Sequence, residues 1–304
     1  MKAPRLIPLT ALVPLVLLAG PASGAPPPAA PSTAAPAPAA PVQKPTDFLR
    51  FVERDTGDAL QTAVVTYGSP DGVTVDLVGA VHIADKAYFE ALNTRFKTYD
   101  AVLYELVGRP IELREELKPG DGAEKLQWLG QVQETMRKTL KLESQLRGID
   151  YKAPNFVHAD MTVEGFFESQ EEKKETFLTL WLKAMQAQAA MPRDRPQPSL
   201  LELFAILRQE DPSTDLKRLV GREFDSMEKL IAGIESNGGT SIIGERNRHA
   251  LEVMDREIQA GKKRLAIFYG AAHLPDMEER LLKQGYTKQK TSWITAWDLP
   301  YPPG

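Results

Sequence analysis

Val73-Thr74-Val75-Asp76-Leu77-Val78-Gly79-Ala80-Val81-His82 is the stretch on which the fold turns. Val73 to Val78 is β-rich, and Gly79 to His82 follows it directly. From Lys86 to Lys97 the spacing becomes helical, with Tyr88, Phe89, Leu92 and Phe96 on one side. Upstream, Ala63 to Tyr67 is a second β-rich run. The Ser69-Pro70-Asp71-Gly72 between the two runs carries turn residues, so together they predict a hairpin. Downstream, Ala101 to Val107 reads as another strand. Strand, helix and strand in this order make a βαβ unit with parallel pairing and a right-handed crossover.

The order returns near the C-terminus. A helix is predicted from Ser241 to about Ala260, then a strand over Arg264 to Tyr269 that ends in Gly270-Ala271-Ala272-His273. A helix from Asp276 to Gln284 and a last strand over Ser292 to Trp297 follow. Between the two units, Ala123–Leu142, Val163–Glu168, Lys174–Met191, Leu200–Gln209 and Leu216–Glu235 read as helix. A short strand is expected near Leu146–Ile149, and a proline-punctuated loop over Met191–Pro198. The fold class expected is α/β: a mostly parallel central sheet from two strand-GxxH-helix-strand units, with a large helical insert between them.

One Gly-x-x-His is a weak signal, but two in the same context are different. Gly79 and Gly270 each follow an apolar strand and are expected to permit an abrupt backbone turn. His82 and His273 then lie just beyond the carboxyl ends of two strands, the edge at which open α/β sheets bind ligands. The chain has four histidines, and imidazole is a common ligand for Zn, Fe, Mn or Co. The alternative for each histidine is a hydrogen bond to a loop carbonyl.

Glu105 stands in an otherwise apolar strand, so it is expected to be buried on both sides. A carboxylate there needs a cation, a hydrogen-bonding group or a proton. It suits a metal ligand or a general base, and the competing role is a buried ion pair with an arginine. In Gly244-Glu245-Arg246-Asn247-Arg248-His249, a stripe of Ile243, Asn247, Ala250, Leu251, Met254 and Ile258 puts Asn247 on a buried face. Arg246, one position away, is suited to a substrate carboxylate or a developing oxyanion, or to a structural polar network. Glu245 and His249 read as a solvated pair.

Lys2 and Arg5, the apolar run Leu6–Ala19 and the small residues Ala22-Ser23-Gly24 predict a signal peptide over residues 1–24. An uncleaved membrane tether is the minor alternative. Residues 25–46 are expected to be a linker, almost entirely Ala, Pro, Ser and Thr from Ala25 to Val42, and residues 47–304 one domain. Removal of Lys2 and Arg5 takes the net charge from -4 to -6, which argues against nucleic acid as a partner. The chain has no cysteine, so neither disulfides nor a lipoprotein anchor is expected. The protein is therefore expected outside the cytoplasmic membrane, periplasmic or secreted, with no transmembrane helix in the mature chain.

The paired Gly-x-x-His, the Tyr104-Glu105-Leu106 strand and the Glu245-Arg246-Asn247 helix start together resemble the TraB/GumN/Tiki family, within the erythromycin-esterase/ChaN-like group. The match covers Val78–Val107 and Ile243–His273 well and the helical middle only loosely. The resemblance implies a site built from His82, Glu105, Arg246 and His273 with Asn247 adjacent, and His158 also facing it. The other role for the segment around His158 is to cap the following helix through Asp160 or Thr162. Tiki members are described as metal-dependent proteases, so a metal-dependent hydrolase is expected, peptidase-like, acting on a peptide or small molecule. No His-Glu-x-x-His is present, and His and carboxylate ligands do not choose among Mn, Co and Zn. The alternative is a binding protein that uses the same cleft for a peptide or for haem or iron.

Overall fold

A computed structural model describes residues 46–106, 134–162, 165, 168–169, 200–223 and 240–301 of the chain, all within the compact unit Pro45–Gly304. The segments expected to be a signal peptide, nearly all of the expected linker, and the helix and loop expected over Lys174–Met191 and Met191–Pro198 lie outside the described residues. So do parts of the helices expected over Ala123–Leu142, Val163–Glu168 and Leu216–Glu235. The described part of the insert is helical at residues 134–139, Leu200–Leu207 and 213–223. Among the described residues, no helix is long and apolar enough to cross a membrane.

The fold is α/β. In chain order the strands are β1 (Leu49–Arg54), β2 (Gly57–Gly68), β3 (Thr74–Ala80), β4 (Ile83–Ala84), β5 (Ala101–Tyr104), β6 (Glu143–Ser144), β7 (Phe156–His158), β8 (Arg264–Gly270) and β9 (Thr287–Pro300). The main sheet has the order β1-β2-β3-β8-β5-β7, with β9 on β2 as its seventh strand. β3, β8, β5 and β7 run parallel, and β1, β2 and β9 join antiparallel. The predicted hairpin is β2–β3; β2 is longer than its apolar run at both ends, and β3 runs on to Ala80.

The two strands of the predicted βαβ unit, β3 and β5, are not neighbours. β8 lies between them, pairing Leu77 with Ile267 on one side and Ile267 with Leu103 on the other. Such a position buries a strand on both faces, and Leu265 to Tyr269 are accordingly all 0% exposed. Ile267→Ala in that central strand would cost about 2–5 kcal/mol through lost burial and an unfilled cavity. The crossover helix Lys86–Phe96 buries Tyr88, Phe89, Leu92 and Phe96, as its spacing requires.

Two expectations need correction. The strand expected near Leu146–Ile149 is instead a short helix, Gln145–Gly148, followed by the strand β7 on the edge of β5. Gly148 lies so close to the Phe89 ring that an added Cβ would sit 2.5 Å from it, so this turn packs on the crossover helix and leaves no sheet edge for its residues. The last strand is also longer than Ser292–Trp297, because β9 pairs with β2 along its whole length, Gly57–Gly68.

Candidate functional site

The parallel register sets the site. Ala80 pairs with Gly270, and Tyr104 pairs with both Phe268 and His158, so the carboxyl ends of β3, β8, β5 and β7 lie side by side. Glu105 N–H extends the ladder by donating to Phe268 O at 3.2 Å. His82, Glu105, His158 and His273 all lie at or just past this edge; the two-unit reading expects His82, Glu105 and His273 there, and the resemblance adds His158.

Gly79 and Gly270 need glycine for a different reason from the one expected. Both lie within their strands, and neither is among the glycines with positive φ. Space is what matters. A Cβ on Gly270 would stand 3.2 Å from Glu105 Oε2, the atom that accepts the Gly270 N–H at 2.6 Å. A Cβ on Gly79 would lie 3.2 Å from the carbonyl oxygens of Ala63 and Phe48. The turn itself is made by Ala271–His273, one turn of 3₁₀ helix that carries His273 back over the sheet end.

Arg246 and Asn247 reach the edge from the helix Arg246–Gln259, where both are buried. A π turn, Ser241–Glu245, precedes it, held by Glu245 N–H on Thr240 O at 3.3 Å and capped by Thr240 Oγ1 on Ile243 N–H at 3.2 Å. Its wider turn shifts the phase of the helix face where two consecutive polar residues must turn inward.

The side chains form one connected network. Arg246 donates from Nε to Asp160 Oδ1 at 2.9 Å and from Nη2 to Asp160 Oδ2 at 2.6 Å. Nη2 also donates to Glu105 Oε1 at 2.7 Å, and Nη1 lies 3.3 Å from His273 Nε2. His273 Nε2 is 3.6 Å from Glu105 Oε1, and its Nδ1 is 2.7 Å from Asn247 Oδ1. The Asp160 side chain is 0% exposed and that of Glu105 12%. Glu105 therefore has the arginine partner that was the competing role for a buried carboxylate. The Arg246 donors that were expected to meet a substrate oxygen are directed at Asp160, Glu105 and His273.

Burial alone would raise the Glu105 pKa, but the Arg246 charge, the two histidines and the Gly270 N–H outweigh it and hold the carboxyl well below the usual range. Burial pushes His273 down to about 4, so its imidazole is neutral near pH 7. Two carboxylates against one guanidinium leave the cluster with one formal negative charge in excess.

His82 and His158 stand differently. His82 is exposed, so packing does not fix its side chain, yet it acts electrostatically on both Glu105 and His273. His158 Nε2 is 2.7 Å from Leu106 O, in the kind of contact with a loop carbonyl that is the bland alternative for a histidine. Thr162 Oγ1 accepts from Gly165 N–H at 3.1 Å, the local cap expected of this segment. Glu245 pairs with Arg248 at 2.9 Å.

Asp160 escaped sequence reasoning as a site residue. The missing signal was β7, since a strand over Phe156–His158 puts Asp160 at the same sheet edge as Glu105.

Among the described residues, no group of three His, Cys, Asp or Glu side chains stands ready to hold a metal ion. Two donors nevertheless converge. His273 Nε2 and Glu105 Oε1, at 3.6 Å, are separated by about the 3.4 Å expected between neighbouring ligands of a tetrahedral ion with bonds of ~2.1 Å. An ionised carboxylate and a neutral imidazole suit a divalent cation, and the excess negative charge favours one. Arg246 faces both donor atoms, so loading would require it to draw back from them while keeping Asp160.

A scan against protein-family models finds no match for this chain, and neither the curated proteins nor the solved structures contain one.

Proposed function

We propose that this protein is an extracytoplasmic, metal-dependent hydrolase of the TraB/GumN/Tiki kind, acting on a peptide or a small molecule. The observation that carries the reading is the approach of His273 Nε2 to Glu105 Oε1 at the carboxyl edge of the parallel strands. His82 completes the set when its exposed side chain turns toward them. A divalent cation, Mn, Co or Zn, bound there would supply carbonyl polarisation and a water of lowered pKa.

The protein's own residues do the rest. Glu105, kept ionised, offers Oε1 to the cation while Gly270 N–H fixes Oε2. Arg246, gripped by Asp160, balances charge beside Glu105, and Asn247 orients the His273 ring. Export rests on the signal-like residues 1–24.

The test is metal analysis of purified protein, with Mn, Co and Zn titrations and hydrolysis of a fluorogenic peptide mixture with and without chelator. Stoichiometric metal and chelator-sensitive cleavage support the reading; neither appearing overturns it. The Arg246–Glu105 contact at 2.7 Å competes with a cation for Oε1, and a second reading is a binding cleft for a peptide or for haem or iron at the same sheet edge. Haem or iron absorbance in protein from iron-replete cells, without hydrolysis, would select it.

A further inference from the structure

We infer that Asn247 and Asp276 are positioning residues that lock the His273 imidazole in its Nδ1–H tautomer, so that the Nε2 lone pair faces Glu105 and Arg246. The argument starts from the Asn247 carboxamide, which is 0% exposed and must satisfy both of its ends. Its Nδ2 lies 2.9 Å from His273 O and 2.8 Å from Asp276 Oδ2. Both partners only accept, so Nδ2 must be the amino end, and this fixes the flip of the amide. Oδ1 then points at His273 Nδ1 at 2.7 Å, and an oxygen there demands a protonated nitrogen. A neutral imidazole carries one proton, so Nε2 is left as the acceptor.

Asp276 does not touch His273 through its side chain. It acts through Asn247, and its own carboxylate is steadied by Arg280 Nε at 2.7 Å from Oδ2. Asp276 lies in the first turn of the helix Leu274–Lys283, three residues after His273, so the helix that begins at the histidine also carries the group that orients it. A metal-ligating or proton-accepting histidine needs its working nitrogen bare, and a hydrogen bond on the other nitrogen is how that is arranged. Arg246 Nη1, 3.3 Å from Nε2, would favour the same tautomer, so the test must separate the two influences.

The inference rests on the reading of His273 as a working residue, but its test needs neither substrate nor metal. Long-range 1H–15N correlation on 15N-labelled full-length protein in chelator at pH 7.5 reads each imidazole nitrogen, with His273→Gln used for assignment. The expected wild-type spectrum has His273 protonated at Nδ1. Asn247→Leu should move the proton to Nε2, Asn247→Asp should return it to Nδ1, and Asp276→Ala, at a partly exposed position, should give a mixture. Wild-type protonation at Nε2 overturns the inference, as does an Nδ1–H signal that persists in Asn247→Leu, which would assign the tautomer to Arg246. A correct tautomer in a protein without metal binding or hydrolysis would instead sink the functional reading and leave this one standing.

Discussion

Asp160 holds Arg246 by two donors on one edge of the guanidinium, Nε at 2.9 Å and Nη2 at 2.6 Å, with the Asp160 side chain wholly shielded from water. Glu105 shares Nη2 with it, at 2.7 Å. The two carboxylates thus divide one cation unequally, and that division separates a structural partner from a chemical one.

The two amide substitutions should have opposite profiles. Asp160→Asn removes the doubly bonded partner of a buried arginine and should destabilise the domain by about 3 kcal/mol, toward the low end for a broken buried pair because Glu105 remains. Glu105→Gln leaves Asp160 on Arg246 and keeps an oxygen for Gly270 N–H, so it should cost less than Asp160→Asn. It should remove divalent metal binding, since an amide neither binds a cation strongly nor accepts a proton. Urea unfolding midpoints and metal titrations of both variants check the ranking, which fails if Glu105→Gln is the less stable of the two.

His82→Ala and His273→Ala should each lower bound metal and abolish the same activity, and the double variant should be no worse than either, because ligands of one centre act as a unit. Stability should tell them apart. His82 is exposed, so its loss should leave the unfolding midpoint unchanged, whereas His273→Ala leaves Asn247 Oδ1 without its partner and should cost about 1–3 kcal/mol. Full metal occupancy in the double variant would refute the shared centre.

Gly270→Ala is a test of space rather than of backbone freedom. The added methyl would press on Glu105 Oε2 at 3.2 Å, and relieving it should cost about 1–2 kcal/mol and displace the carboxylate from the Gly270 N–H. We expect reduced metal affinity with the fold retained. A crystal structure of the variant with Glu105 unmoved would contradict this.

His273 should leave a mark on acid unfolding. Its folded pKa is lowered, from 6.5 to about 4, so between those values the unfolded chain binds the proton and the folded one does not. Stability is then complete above 6.5 and falls as pH drops toward 4, by up to about 3 kcal/mol from this group. Glu105, also depressed, adds its loss below the ordinary carboxylate range. Stability curves of wild type and His273→Gln against pH should diverge in that window, and parallel curves would mean that His273 is more hydrated than its burial implies.

Much of the sheet and part of the site were legible in the sequence. Leu265–Tyr269 is an unbroken apolar run because both faces of a central parallel strand are covered, and Val73–Val78 is β-rich with only Thr74 and Asp76 polar; such runs are visible without knowledge of the partners. The insertion of β8 between β3 and β5 was not legible, since periodicity reports a strand but not its neighbours. His82, Glu105 and His273 were found at one edge because each follows such a run directly. Asp160 and Asp276 were missed because their partners, Arg246 and Asn247, are distant or on another helix. Nothing local marks a polar residue whose burial is created by tertiary contacts. The three-residue β7 was too short to announce itself, and with it went the clue to Asp160.

The long pairing of β2 with β9 makes one edge of the sheet depend on a distant contact. β2 spans Gly57–Gly68 and β9 Thr287–Pro300, so one whole edge of β2 is closed only by a strand more than two hundred residues further along the chain. Contacts so distant in sequence are slow to form, and until β9 docks, that edge of β2 is a row of unpaired backbone groups on which another strand can pair. For such a fold, the closing of the β2 edge by β9 is the step that removes the site of edge-to-edge association.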